Sequence, residues 1–339
     1  MSKSRNSVAL WLFTCAGMVV VMMLIGAATR LTESGLSMVE WRPLIGGIPP
    51  LSDAEWERVF DLYRQTSEYR LQHAGMELAA FKKIFWWEYI HRLWGRLIGI
   101  AFAIPFLWFL YKRAIERPLI PHLVMLFCLG GLQGLIGWWM VKSGFVNRTD
   151  VSQYRLVVHL GMAMGILGYL LWMAMGLVLS PDKSAPTVEK SVGWLILSVF
   201  SVTILSGGFV AGLNAGQIYN SWPLMGNTFI PADYLVVSSW WRNPFESAAA
   251  AQFNHRILAY ASFGAAIWFF GLMWKRNDVR MKKISLLVLL VASFQVILGI
   301  STLLLIVPVS LGVLHQLGAI TLFCLGVISL RLLYPAPSS

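Results

Sequence analysis

Charge is scarce in this chain. Only 13% of its 339 residues are Asp, Glu, Lys or Arg, where a soluble globular protein carries about 25%. The shortage is also uneven: residues 6–29, 118–141, 156–181, 191–232 and 284–330 contain no charged side chain. Such runs exclude a water-soluble enzyme. With 57% hydrophobic residues and a mean hydropathy of +0.66, they point to a polytopic membrane protein. Cysteine is almost absent. Cys15, Cys128 and Cys324 all fall inside apolar runs, so no outer-face disulfide is available and the three are expected to pack as small apolar side chains. No Arg- and Ser-rich leader precedes the first apolar run, and Arg30-Leu31-Thr32 after it does not read as a cleavage site. That run is expected to be a retained helix.

What is present is a set of eight apolar runs of bilayer length, at about 8–29, 87–110, 119–141, 156–179, 191–213, 250–273, 284–306 and 309–332. The last two share one uncharged stretch that is too long for a single crossing. A turn is expected at Val307-Pro308-Val309-Ser310. If the N-terminus lies inside, the inner segments hold Lys3, Arg5, Lys112, Arg113, Arg117, Lys183, Lys190, Lys275, Arg276, Arg280, Lys282, Lys283 and Arg331. Only Glu116, Asp182, Glu189 and Asp278 oppose them. Most of the +11 net charge is therefore positive-inside bias. That removes the case for nucleic acid and favours a bacterial inner membrane with both termini cytoplasmic. In the long outer loop 30–86, Ser52 can cap a helix carrying Trp56, Phe60 and Tyr63 on one face. That helix is expected to lie on the outer membrane surface. The pairs Trp86-Trp87, Trp138-Trp139 and Trp240-Trp241 mark outer boundaries.

The halves resemble each other. Glu88-Tyr-Ile-His91-Arg92 in span 2 matches Gln252-Phe-Asn-His255-Arg256 in span 6, and Gln133-Gly-Leu-Ile-Gly137 in span 3 matches Gln295-Val-Ile-Leu-Gly299 in span 7. Val157-Val-His159 in span 4 resembles Val313-Leu-His315 in span 8. Spans 1 and 5 each lead into a Gly-rich loop with a Trp and a Pro, Gly35 to Pro43 and Gly212 to Pro223. Four spans per half preserve orientation, so the repeat is parallel. The expected fold is all-α, two pseudo-symmetric four-helix bundles covering residues 1–180 and 181–339.

Of six histidines, His73 and His122 have no repeat partner and are read as incidental. His91, His159, His255 and His315 each begin an even-numbered span near its outer end, which gives all four one depth. A lone membrane histidine is often a helix–helix hydrogen-bond partner. Four at one depth, two per half, suit axial ligation of one haem iron per bundle. Arg92 and Arg256 follow two of them and either pair with haem propionates or snorkel to the interface. Gly95, Gly99, Gly130, Gly131, Gly134, Gly137, Gly207 and Gly208 admit either a flat porphyrin or close helix packing. The halves differ at Glu88, one helical turn from His91, whose counterpart is Gln252. Glu88 either pairs structurally with Arg92 or supplies the acid–base group that distinguishes a reacting site from an electron-transfer site.

Thr29-Arg-Leu-Thr-Glu-Ser-Gly-Leu-Ser37, Glu88-Tyr-Ile-His-Arg-Leu-Trp-Gly-Arg96, Asn214 to Met225, Asn254-His-Arg-Ile-Leu258 and Leu314-His-Gln-Leu-Gly318 span nearly the whole chain. Together they are similar to the haem A synthase family, and within it to the branch that lacks a cysteine pair in the first outer loop, which includes proteobacterial and mitochondrial members. The resemblance implies oxidation of the haem O methyl to the formyl of haem A. It implies a haem b cofactor on His255 and His315, substrate haem O near His91 and His159, and Glu88 as the catalytic carboxylate. Implied partners are membrane lipid, a haem O synthase that delivers the substrate and an unidentified electron acceptor. Homo-oligomerisation stays open. The alternative is a di-haem, cytochrome b-like quinol oxidoreductase with two permanent b haems. A transporter built on a parallel repeat is the third class, disfavoured because no pair of spans is conspicuously broken at mid-membrane.

Overall fold

The computed structural model describes residues 3–40, 47–145, 150–179 and 186–334. Eight of its helices are long and apolar enough to cross a bilayer, and each overlaps one of the eight expected runs to within a few residues at its ends, except that the second begins well before its run. They are span 1 Lys3–Leu31, span 2 Leu78–Tyr111, span 3 Ile120–Lys142, span 4 Gln153–Val178, span 5 Thr187–Gly212, span 6 Ala248–Trp274, span 7 Val279–Leu304 and span 8 Val309–Leu333. In hydrocarbon a helix satisfies its own backbone groups, which is why uncharged runs of this length take that form. The chain is an all-α, multi-pass membrane protein. The expected turn occupies residues 305–308 and Ser310 already belongs to span 8. Pro308 caps that span, after Ile306 and Val307 in the left-handed region at φ of 60° and 55°.

The span ends that carry the basic residues gather on one side. Ser4 Oγ donates to the Ala114 carbonyl at 2.7 Å, Arg5 reaches the Gly176 carbonyl at 3.3 Å, and Arg276 pairs with Glu189. Trp194 Nε1 donates to Tyr334 Oη at 3.0 Å. Asp182 and Lys183, expected on that side, lie outside the described residues. So do the boundary expected between residues 180 and 181, and Trp41 and Pro43 of the first Gly-rich loop.

Span 1 packs on spans 2 and 4, and span 3 on span 4; span 5 packs on spans 6 and 8, and span 7 on the same two. Contacts of span 4 with span 5, span 1 with span 8 and span 4 with span 8 join the sets. One seam differs: spans 6 and 7 pack along much of their length, whereas spans 2 and 3 meet at few positions. Of the cysteines, Cys15 is buried and Cys324 half-buried among apolar neighbours, while the exposed Cys128 faces outward from span 3.

The outer helix departs from expectation. Ser52 does cap Asp53–Arg64, its side chain accepting from the Glu55 amide at 3.3 Å. Its aromatic face, however, does not lie free for lipid. Trp56, Phe60 and Tyr63 are buried against Phe81, Phe85 and Tyr89. Span 2 begins at Leu78, well before the run expected from residue 87, and its added turns supply Phe81 and Phe85. Stacked and edge-on aromatic rings at 4.8–5.2 Å hold the small outer core together.

That core encloses an acid. Glu68, on the short helix Ser67–Gln72, is only 3% exposed, and one of its carboxylate oxygens has no partner. Burial pushes its carboxyl up to about 8, against the opposing hydrogen bond from Tyr63. A carboxyl with a raised native pKa binds more protons folded than unfolded. Its burial costs nothing below the ordinary carboxylate range, and stability falls as pH rises from about 4.5 to about 8. Glu68→Gln is expected to remove this slope and raise the unfolding temperature at pH 8 by several degrees while leaving it unchanged near pH 4.5. Thermal unfolding in detergent across that range checks it.

Candidate functional site

The four singled-out histidines are all half-buried on spans 2, 4, 6 and 8. His255 and His315 are brought together edge-on, with ring centroids 6.4 Å apart and planes at 78°. Two imidazole–metal bonds of about 2 Å, plus the distance from each nitrogen to its ring centre, span roughly 6 Å, so one metal ion fits between these rings. Ser206 Oγ lies 2.8 Å from His255 Nδ1 and fixes that ring's orientation, leaving the other nitrogen for a ligand. Among the described residues no three His, Cys, Asp or Glu side chains come together. A structural zinc centre wants four such ligands, whereas this pair of imidazoles suits a metal whose remaining ligands arrive with it, as in a haem.

In the first half, His91 stands on span 2 and His159 on span 4. Each histidine stands against a glycine of the neighbouring odd-numbered span. A Cβ on Gly26 would meet His91 at 3.2 Å, on Gly137 would meet His159 at 3.0 Å, on Gly207 would meet His255 at 3.1 Å and on Gly299 would meet His315 at 2.9 Å. Any larger residue would push the ring out of place. Gln133 Nε2 donates to the His159 carbonyl at 3.0 Å, and Gln295 Nε2 to the His315 carbonyl at 2.9 Å. The glutamines that mark the sequence repeat thus brace the backbone at a histidine.

Glu88 is 3% exposed and fully engaged. Its Oε2 accepts from Ser37 Oγ at 2.7 Å and from the Met38 amide at 2.8 Å, and its Oε1 accepts from Arg92 at 2.5 Å. Four residues apart on one helix, the pair sits over the loop that follows span 1. Gln252 holds the same station with reversed polarity. Its Nε2 donates to the Ala215 and Ile218 carbonyls at 2.7 and 2.5 Å, and its Oε1 accepts from Arg256 at 3.0 Å. The loop after span 1 offers donors and fixes a carboxylate; the loop after span 5 offers carbonyls and fixes an amide. Arg92 also donates to the Met38 and Glu40 carbonyls, and Arg256 to those of Tyr219 and Leu224. Both arginines thus tie the outer loops down.

Beside Glu88, Ser37, Met38, Phe85, Arg92 and Arg96 line a cavity of about 320 Å³ that extends under the outer loop. His73 and His122, read as incidental, have tyrosine partners: Tyr63 Oη at 2.6 Å and Tyr169 Oη at 2.5 Å. The contacts of three contributors escape a reading of the sequence, although Arg30 and Ser37 lie in the Thr29–Ser37 stretch. Ser206 has no motif around it beyond the adjoining Gly207-Gly208. Ser37 meets Glu88 across 51 residues of chain. Arg30 bridges the halves, with Asp150 at 3.2 Å and Asn214 Oδ1 at 2.9 Å, while Asn214 Nδ2 donates to Asp150 at 3.2 Å.

Residues 9–327 match the family model described as cytochrome oxidase assembly protein, COX15-CtaA. The chain is 48% identical to a protein of Rhodospirillum centenum named "Heme A synthase", over 97% of this chain and 89% of the relative. Proteins of the same name from Parvibaculum lavamentivorans and Nitrosospira multiformis are 45% and 46% identical, each over 94% of this chain and over 92% and 91% of their own lengths.

Proposed function

This chain belongs to the haem A synthase family, and from that premise we propose how its halves divide the reaction. It is an oxidoreductase that converts the porphyrin methyl of haem O to the formyl of haem A. Residues 1–180 take haem O between His91 and His159, and residues 181–339 hold a resident haem b on His255 and His315. The bound haem b supplies a one-electron acceptor within the same membrane depth.

The observation that carries this division is the matched pair Glu88 and Gln252. Both are buried, both contact the arginine four residues on, and both clamp the loop after an odd-numbered span. Only one can hold a charge. Three donors fix the Glu88 carboxyl in one orientation, so it is preorganised to meet positive character at the oxidised carbon, or to take a proton from a water that attacks it. Gln252 offers neither, which suits a site that binds its haem without altering it. Arg92 and Arg256 stand at the outer rim of each pocket, where propionates would face. The buried Arg256 Nε, which has no hydrogen-bond partner, supports that reading.

Matched contacts support a parallel repeat: Gln133 and Gln295 on histidine carbonyls, and Gly137 and Gly299 beneath histidine rings. Bacterial relatives and the clustered basic ends support an inner-membrane protein with cytoplasmic termini and haem pockets toward the outer face. Haem O is membrane-bound and insoluble, which supports delivery by a haem O synthase.

Pigment extraction from the purified protein tests the assignment. One haem b with haem O or haem A is expected. Haem b alone, at two per chain, would establish the di-haem carrier instead.

A further inference from the structure

The two long outer loops differ in kind. Residues 32–77 carry twelve charged side chains. Residues 213–241 carry one, Asp233, and Tyr219 Oη donates to it. Just beyond, Arg242 and Glu246 neutralise each other at 2.8 Å. The apolar surface is divided the opposite way. Phe229, Ile230, Leu235, Val236, Trp240 and Trp241 of the second loop are each more than half exposed. Among the described residues of the first loop, only Ile48, Leu51 and Leu71 are large apolar side chains standing exposed. A contiguous apolar patch of this kind marks contact with protein or membrane.

Two further features decide between them. First, the second loop descends along span 6 instead of standing off it. Phe229 and Tyr234 meet Phe253 edge-on, with ring centroids 5.8 and 5.6 Å apart. Arg256 donates to the Leu224 carbonyl at 3.3 Å, and Trp222 Nε1 donates to Tyr260 Oη at 3.1 Å. Tyr260 stands twelve residues into the span, about 18 Å along its axis and past His255. Trp222, Ile257 and Tyr260 are all exposed there, so the apolar surface of the loop continues into the lipid-facing flank of the span. Second, the loop satisfies its own backbone. The buried Asn243 accepts from the Val237 amide and donates to the Val237 and Trp240 carbonyls at 2.9–3.2 Å. Ser221 Oγ donates to the Leu224 carbonyl and accepts from the Gly226 amide, and Thr228 Oγ1 donates to the Ile230 carbonyl. In an aqueous loop water would serve such groups, whereas apolar surroundings demand internal partners.

We propose that residues 219–241 form an outer-leaflet anchor, embedded among the phospholipid headgroups and upper acyl chains. The lipid contact expected of the aromatic helix in the first loop, whose face is buried, belongs to the second loop. The His255 and His315 pair then lies under lipid, while the cavity beside Glu88 lies under a charged loop in water. The anchor is independent of which haem either half binds.

The unsubstituted chain, reconstituted in vesicles of phosphatidylethanolamine and phosphatidylglycerol, tests this directly. Hydroxyl radicals generated in the water mark what solvent reaches. A phospholipid carrying a diazirine on its upper acyl chain marks, after photolysis, what lipid reaches. Trp240 and Trp241 are expected to be oxidised at least about tenfold more slowly than free tryptophan, with carbene adducts falling on residues 219–241. Leu51 and Leu71 of the first loop are the internal controls, reacting near the rate of free leucine and taking no adduct. Oxidation of Trp240 and Trp241 within about twofold of free tryptophan would place the loop in water and overturn the anchor. Protection without lipid adducts would overturn it as well, since protein rather than lipid would then cover the loop.

Discussion

Glu88→Gln is expected to cut formyl production by about 10²–10³-fold while haem O still binds, the loss typical of removing one preorganised charge-stabilising group. The geometry sets the terms. The amide can keep one oxygen on Ser37 and Met38 or on Arg92, but its nitrogen must then face a donor on the other side. Breaking a buried pair by removing one partner costs about 3–5 kcal/mol, so a lower unfolding temperature accompanies the loss. The stability effect is separable from the chemical one. Arg92→Gln breaks the same ion pair yet leaves the carboxylate on Ser37 and Met38, and it should retain more turnover than Glu88→Gln at comparable stability. Haem analysis of cells expressing each variant with excess haem O reads the outcome. Near-normal haem A from Glu88→Gln would leave Glu88 a purely structural partner of Arg92.

His255→Ala and His315→Ala should each empty the second half of haem b, with retention below roughly a tenth of wild type, because two axial ligands are all the protein gives that iron. His91→Ala should leave the haem b content intact and abolish haem O binding. Ser206 acts through His255, so Ser206→Ala is expected to weaken haem b about 10–100-fold rather than abolish it. A shifted reduction potential of the haem that remains would mark this as an effect on the ligand ring rather than on folding. Haem b retained at full occupancy in His315→Ala would place the cofactor elsewhere.

The membrane spans were legible because hydrocarbon leaves the backbone one local solution. Uncharged runs therefore specify helices without knowledge of their neighbours, and all eight appear. The histidines stood out in the sequence because polar groups inside apolar runs are rare and matching motifs carry them. The outer loop was legible only in part. Ser52, Trp56, Phe60 and Tyr63 announced an amphipathic helix correctly, but an apolar face does not say what covers it. Lipid and the aromatic start of span 2 fit the same pattern, and the second covers it here. Likewise the arginines after His91 and His255 could be read as snorkelling or as anion-binding, since their reach exceeds what spacing alone constrains. In the fold they tie down loop carbonyls beside Glu88 and Gln252.

The sequence by itself determined the apolar helices, the placing of four histidines near the starts of even-numbered spans, and the position where the glutamate of one motif stands as glutamine in its match. These are one-dimensional properties: hydropathy, spacing and register. Tertiary structure decided what those residues touch. It set the His255 and His315 rings 6.4 Å apart, brought Ser37 and Met38 on to Glu88, joined the halves through Arg30, Asp150 and Asn214, and let spans 2 and 3 meet at few positions while spans 6 and 7 pack along much of their length. The physical reason is that contacts between distant segments depend on how helices approach one another. A glycine permits either a close crossing or an open groove, and only its neighbours choose between them.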